Sequence, residues 1–521
     1  MRKIFFLFIL CAQSIFAGDF VPSIYIWHDS TITKSYSEAH FKFEDSPKHF
    51  PGFQGTQDFE TSINIRVRGN STSDAPKKPY NIKFSKKTDL LNMGKAKKWV
   101  LLSNPFDPTL MRNKLVYDLA GKLPFIFSPK SYYVDVWLND VFIGNYQLTQ
   151  NIEFNSQTWD YDVDNGDYLI ERDEKRHKSD SYYFHSPLDS IRFASKEPDS
   201  LSDNQLEDLQ KKLLTIEKAI STKDINQYIQ YVDLLSMIDY YWIEEFVSEP
   251  DLKTGSIFFS VHDSILRGGP VWDFDLALGN TTYAPKQATT NYFVRNDIWW
   301  QYLFQDSLFE KIANERYLEL SPYFENLAQN NELGGNQIDS LLSYFKDSFD
   351  RNFSDSGWVY CDPLIDTLSN ARKLTCPFSP IPLKTFEENI EKLRTWIIER
   401  NKYLKKNAEE ALQKQAHINI TLRNILHVQD SLFALKDSLA NTTNVPSADN
   451  DSTTIKNDFT DKDTATTIIP LISYDKKTFS SHKGSILFTK KRKENSYSKN
   501  DFFLINGKTT HINANNIYVK K

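Results

Sequence analysis

The chain has 521 residues, 40% of them hydrophobic and 14% aromatic, which is enough to build a sizeable core in one large domain or two to three smaller ones. Its 62 basic and 68 acidic side chains leave a net charge of −6, and this weak acidic balance argues against a nucleic-acid binder. After the first seventeen residues no apolar run reaches the roughly eighteen residues that a membrane span requires.

Residues 1–17 carry a charged start, an apolar run from Ile4 to Leu10 and a small residue at Ala17. They read as a secretory signal peptide, and the expected location is secreted, periplasmic or at the cell surface. Cys11 resembles a lipid-attachment cysteine, but Ile9 and Leu10 are not the small residues such a site prefers. Cys361 and Cys376 remain after cleavage. They either pair across a loop of about fifteen residues, worth roughly 3 kcal/mol, or stay as free buried thiols.

Ser23 to Trp27 reads as a short strand, followed by a polar, aromatic loop segment to about residue 60. Ile63–Val67 and Tyr80–Phe84 alternate and read as strands, joined by a turn that holds Gly69, Asn70, Ser71 and Thr72. Such donor-rich turns can cradle phosphate, though most are turns and nothing more. Lys83 lies between Ile82 and Phe84 and is expected either to point into a cleft or to face water on an edge strand. Thr109–Leu123 reads as a helix, with Arg112 facing phosphate or pairing with Asp107. Tyr132–Leu138 and Val141–Leu148 form a hairpin around Asn139-Asp140, and Tyr168–Glu171 is a further strand. Glu171 and Asp173 lie two apart, as a functional pair or as partners of nearby Arg and Lys. Ser202–Ile220 is an amphipathic helix with a Ser202/Gln205 capping box, and Asp224–Val247 is a second, aromatic-rich helix.

The most informative stretch is Gly268-Gly269-Pro270-Val271-Trp272-Asp273-Phe274-Asp275. Val271–Phe274 reads as a buried strand, which puts Asp273 and Asp275 on one face about 7 Å apart. Two carboxylates so placed repel unless a cation lies between them, and hard oxygen ligands favour Mg²⁺ or Mn²⁺. A solvated face or a helix cap is the plainer reading. Asp251 precedes Asp273 by about twenty residues, as a catalytic Asp precedes a metal-binding Asp in kinases.

More of the chain agrees: Arg66 to Thr72, Pro76 to Lys83, Lys98 to Leu102, Met111 to Leu115, Val134 to Asn139 with Gly144 to Tyr146, Gly166 to Glu171, and Gly269 to Asn280. In order and spacing these segments resemble the CotH kinase family of atypical protein kinases, from about residue 60 to about 400. The resemblance implies an α+β, atypical protein-kinase-like fold, with a β-rich N-terminal part and a helical C-terminal part. It implies Ser/Thr phosphorylation of surface or coat proteins from ATP with Mg²⁺ or Mn²⁺. Asp251 would be the catalytic residue, and Asp273, Asp275 and Ser256 would hold metal. Lys83, Arg68, Gly69, Asn70 and Ser71 would face the nucleotide. Ser256 stands where familiar kinases carry Asn, and Gln150 stands where a lysine-orienting Glu is common. Glu153, three residues on, would point to the other face of a strand. A catalytically impaired surface or scaffold protein is therefore the alternative, and a D-x-D nucleotide-sugar glycosyltransferase a third.

The expected organisation is a leader over 1–17, the kinase-like domain over 18–406, a polar helical extension over 407–440, a linker over 441–470 and a small β-rich module over 471–521. The last holds eleven lysines or arginines against three acidic residues, a net +8, and is weakly similar to sorting tails read by a secretion machinery.

Overall fold

A computed structural model describes residues 20–154, 161–174, 182–355 and 382–443, residue 380 and four two-residue strands near the C-terminal side. The expected leader, Cys361 and Cys376, and the linker beyond Thr443 lie outside the described residues. Of the expected module over 471–521, an antiparallel pair is described, Phe488–Thr489 against Phe502–Phe503.

Seven strands close into a barrel: β1 (Ser23–Trp27), β2 (Ser37–Glu44), β3 (Phe59–Val67), β4 (Tyr80–Asp89), β5 (Lys95–Leu102), β6 (Ser131–Leu138) and β7 (Val141–Gln150). The order is β1-β2-β3-β4-β5-β7-β6, and parallel pairing of β6 with β1 closes it. Alternation fills the interior: Ile24 and Ile26, Ala39, Phe41 and Phe43, Ile63 and Ile65, and Ile82 and Phe84 all point inward. The segment expected as loop after Trp27 thus contains β2, whose inward residues alternate with Glu38, His40, Lys42 and Glu44. The hairpin around Asn139-Asp140 forms as expected, and both turn residues have positive φ, 48° and 63°.

One side of the barrel is covered. β6 is buried continuously from Ser131 to Val136 and β7 from Gly144 to Gln150, the pattern of strands packed on both faces. The cover is α1 (Arg112–Ala120) and a later helix over Gln337–Ser354. That later helix is latched by polar groups: Arg351 and Ser348 hold Asp135, while Lys77 Nζ donates to Asn145 O (2.6 Å) and Asn352 Oδ1 (2.7 Å). Burial pulls the Lys77 ammonium down to about 7, with Asp135 working the other way.

A second sheet follows, built from β8 (Tyr168–Arg172), β9 (Tyr183–His185), β10 (Arg192–Glu197), β11 (Ile257–His262) and β12 (Ile265–Gly268), in the order β12-β11-β8-β10-β9. Between β10 and β11 run α2 (Asp203–Ser221), α3 (Ile225–Tyr228) and α4 (Leu234–Val247). The Ser202/Gln205 capping box is present at α2. The single helix expected over Asp224–Val247 is instead two, because Tyr231 and Asp233 give their backbone groups to Leu266 of β12. Asp233 then caps α4 by accepting from Ser236 N.

The rest of the chain is helical: α5 (Ala284–Gln287), α6 (Trp300–Leu303), α7 (Ser307–Glu325), α8 (Gln337–Ser354, the barrel cover), α9 (Phe386–Lys414) and α10 (Leu422–Thr443). The boundary expected after Lys406 falls inside α9. The polar helical extension expected over 407–440 packs on the domain through α10. Leu422, Ile425 and Leu426 are buried, and Gln429 bonds Ile229 O, Val232 O and Leu234 N.

Every residue of α4 is buried. Two of its three carboxylates are met by arginines from two helices: Arg316 grips Asp239 at 2.7 and 2.9 Å, and Arg400 bonds Glu245 at 2.9 Å. Removing one partner of such a buried pair costs about 3–5 kcal/mol. Arg400→Met is expected to lose that much in urea unfolding, and adding Glu245→Gln is expected to recover part of it. At the end of the second sheet, His262 lies 2.8 Å from Asp167 and 3.0 Å from Asp263. Burial opposes its charge, yet the two carboxylates outweigh burial and lift the imidazole to about 9. This contribution is fully present below the ordinary value of about 6.5 and is lost as pH rises through about 9. His262→Gln should therefore lower Tm at mildly acidic pH, and the difference should close in alkali.

Candidate active site

Two chain segments meet at the C-terminal end of α4. Ser248 leaves the helix in the left-handed region at φ 54°, and Glu249 turns the chain by accepting from Asp251 N at 2.9 Å. Thr254 Oγ1 donates to Asp251 Oδ1 at 2.9 Å. Ser256, at φ 63°, donates its N–H to Glu171 Oε1 at 3.0 Å, and β11 begins at the next residue.

The second segment follows β12. Val271–Phe274 is not the expected strand. Its N–H groups go to Phe127 O, the Tyr117 hydroxyl and Asn113 Oδ1, and the last two acceptors are side chains of α1. Gly268 packs so closely on Tyr240 that an added Cβ would meet that ring at 2.7 Å. Asp273 sits at φ 70°, outside extended geometry, so the same-face rule for residues two apart does not apply to it and Asp275. They are electrostatic neighbours all the same. Burial first, then Asp273, Asp107 and Asp251, push Asp275 well above the usual carboxylate range, against Arg112.

A hydrogen bond joins the segments: Ser256 Oγ donates to Asp273 Oδ2 at 3.2 Å. Arg68 arrives from the end of β3, its guanidinium 5.1 Å from the Trp272 ring centre, and Trp272 stacks on Tyr117. Burial lowers the Arg68 pKa, while Asp273, Tyr117 and Glu171 support its charge. Beneath the cluster, Arg112 pairs with Asp107 at 2.5 Å and donates to Ala277 O, which settles its two expected roles in favour of the pairing.

Asp251, Ser256, Asp273, Asp275 and Arg68 are thus brought together. Gly69, Asn70 and Ser71 are exposed in the loop that leaves Arg68. Gly69 has φ 88°, and a Cβ there would meet Thr72 Oγ1 at 2.1 Å, so the turn itself requires glycine. Lys83 does not join the cluster. Tyr80, Ile82 and Phe84 fill the barrel, so Lys83 is turned outward, exposed, between Asn64 and Lys98 in register. Gln150 is committed to Met93 O and Gly94 O, and Glu153, past the end of β7, pairs with Lys98 at 3.1 Å. The sequence reading missed Lys196 of β10, 3.0 Å from Glu171, and the Tyr117–Trp272 stack that supports Arg68. It weighed Glu171 as one of a pair with Asp173, which accepts from Tyr183 at 3.2 Å. Among the described residues no three His, Cys, Asp or Glu side chains form a ready metal cage. Two carboxylates and a hydroxyl still suit Mg²⁺, which keeps waters and shares its shell with phosphate.

A model of the family described as CotH kinase protein matches residues 65–404, well over half of the chain. The chain belongs to the CotH kinase family. No curated protein matches it. In this CotH protein the matched span starts inside β3 and ends inside α9. It includes every residue of the cluster and leaves β1, β2 and α10 outside. No helix among the described residues is long and apolar enough to cross a membrane.

A carboxylate buried against its own kind destabilises the fold in the absence of a cation. Asp275→Asn is expected to raise the Tm of the metal-free protein by several degrees, read by thermal melts.

Proposed function

We propose that this CotH protein transfers the γ-phosphoryl group of ATP to a Ser or Thr hydroxyl of a surface or coat protein, with the barrel and the helical half as the counterparts of the two kinase lobes. The observation that carries the reading is the Ser256–Asp273 hydrogen bond, which holds the Asp251 loop and the Asp273–Asp275 segment at one place. Export through the leader would put the acceptor outside the cytoplasm, and the basic tail would engage the secretion machinery.

Asp251 would accept the proton of the acceptor hydroxyl as its oxygen bonds to the γ-phosphorus and the bond to the β–γ bridging oxygen breaks, releasing ADP. Glu249 and Thr254 hold Asp251 through its N–H and its carboxylate. Asp273, Asp275 and the Ser256 hydroxyl would hold Mg²⁺, which when bound supplies positive charge to the phosphate oxygens. Arg68, fixed over Trp272, adds a preorganised cation beside them.

The second reading, a catalytically silent scaffold, is favoured by two observations: Lys83 faces solvent, and Gln150 is tied to backbone carbonyls. Transfer from labelled ATP with Mg²⁺ or Mn²⁺ separates the two. The wild type is expected to label itself or a generic acceptor, and Asp251→Ala and Asp273→Ala each to fall by at least about a hundredfold. A wild type that binds no adenine nucleotide would leave the scaffold reading standing, and one that binds a UDP-sugar instead would indicate a glycosyltransferase.

A further inference from the structure

Triphosphate is strongly anionic, and the cluster that would receive it is itself rich in carboxylates: Asp273, Asp107 and Asp251 all act on Asp275. Arg68 and a divalent cation supply part of the opposing charge. Kinase chemistry also calls for a lysine held by a carboxylate near the phosphates. Lys83 is turned outward. Lys77 is committed to Asn145 O and Asn352 under α8. Lys98 is paired with Glu153.

Lys196 has the required surroundings. Its Nζ lies 3.0 Å from Glu171 Oε2, and its side chain keeps 27% of its exposure, so it is anchored and still reachable. Glu171, only 6% exposed in its side chain, divides its two oxygens between Lys196 and the Ser256 N–H. Ser256 in turn touches Asp273. The links Lys196–Glu171–Ser256–Asp273 therefore run from β10 through β8 to the metal-binding segment. Arg68 feels the charge of Glu171 as well as that of Asp273, so the two cations share Glu171. An ammonium has three donors and the carboxylate takes one, so Lys196 can bond phosphate oxygens without leaving Glu171.

Resting on the kinase reading above, the geometry points to Lys196 as the side chain that grips the α- and β-phosphates of the nucleotide, with Glu171 as its positioning residue, in place of Lys83. The assignment puts the phosphate lysine on the second sheet and not on the barrel.

Calorimetry on the full-length protein with Mg²⁺ tests this with ATP, ADP and adenosine as ligands. Lys196→Met is expected to weaken ATP and ADP by at least about tenfold, the worth of one charge-assisted hydrogen bond, and to leave adenosine unchanged. Lys196→Arg should restore part of the loss, Glu171→Gln should show a smaller loss of the same kind, and Lys83→Met should match wild type. If Lys196→Met does not fold, as judged by its melt, Lys196→Gln carries the same comparison. Wild-type affinity for ATP and ADP in the Lys196 variant overturns the assignment and leaves the kinase reading intact, as does an equal loss for adenosine. A wild type that binds no adenine nucleotide removes both.

Discussion

Helix α4 has no solvent-facing side, so the carboxylates of Asp239, Glu244 and Glu245 must be accommodated inside the protein. A buried, unpaired carboxylate costs several kcal/mol, which makes these three side chains a constraint on everything packed around them. Arg316 of α7 answers Asp239 and Arg400 of α9 answers Glu245. Arg400 also bonds the carbonyls of Thr289 and Asn291, and Glu245 accepts from Phe293 N and Val294 N, so the loop after α5 is sewn to the same pair. Glu244 is treated differently. Burial lifts it to about 8, against the pull of Lys286, and it is accommodated largely as the neutral acid at neutral pH. The helix that delivers Ser248, Glu249 and Asp251 is thereby fixed in rotation and along its axis.

That fixing matters because the Asp251 loop begins at the helix end. Ser248 and Ser256 both adopt left-handed backbone geometry that non-glycine residues rarely take. Such positions persist where the surroundings over-determine them. Here the surroundings are visible: Ser248 Oγ bonds Lys286 O, and Ser256 N bonds Glu171. Asp273 is a third such residue, held by the Tyr117 hydroxyl at its N–H and by Ser256 at its carboxylate. Three strained residues on two segments, each tied to a separate element, make a site whose shape is set before any ligand arrives.

Local signals carried much of this fold. Asn139-Asp140 between two apolar runs specifies a type I′ hairpin, and Ser202 with Gln205 specifies a helix start, because each pattern satisfies its own backbone groups within a few residues. The family motifs likewise brought Asp251, Ser256, Asp273, Asp275 and Arg68 to notice. What stayed hidden depends on partners distant in sequence. Val271–Phe274 has the composition of a strand, but its donors are met by Asn113 and Tyr117, some 160 residues earlier. Barrel closure needs β1 to lie parallel to β6, a pairing that no local pattern encodes. The direction of Lys83 was written in the alternation of Tyr80, Ile82 and Phe84, yet its meaning required knowing that the inside of the curve is a packed core and not a cleft.

The same argument accounts for the outward direction of Lys83. A closed barrel fills its interior with side chains, so an inward residue of β4 is surrounded by apolar groups and an outward one meets water. The second sheet is open, and the face that carries Glu171 and Lys196 runs directly into the loop at Ser256. The ion pair on β8 and β10 is coupled to the Asp273 segment through one serine. The serine at 256 is then more than a weak substitute for asparagine. Its N–H anchors the lysine's carboxylate and its hydroxyl anchors Asp273, two bonds made at once by a short side chain on a left-handed backbone.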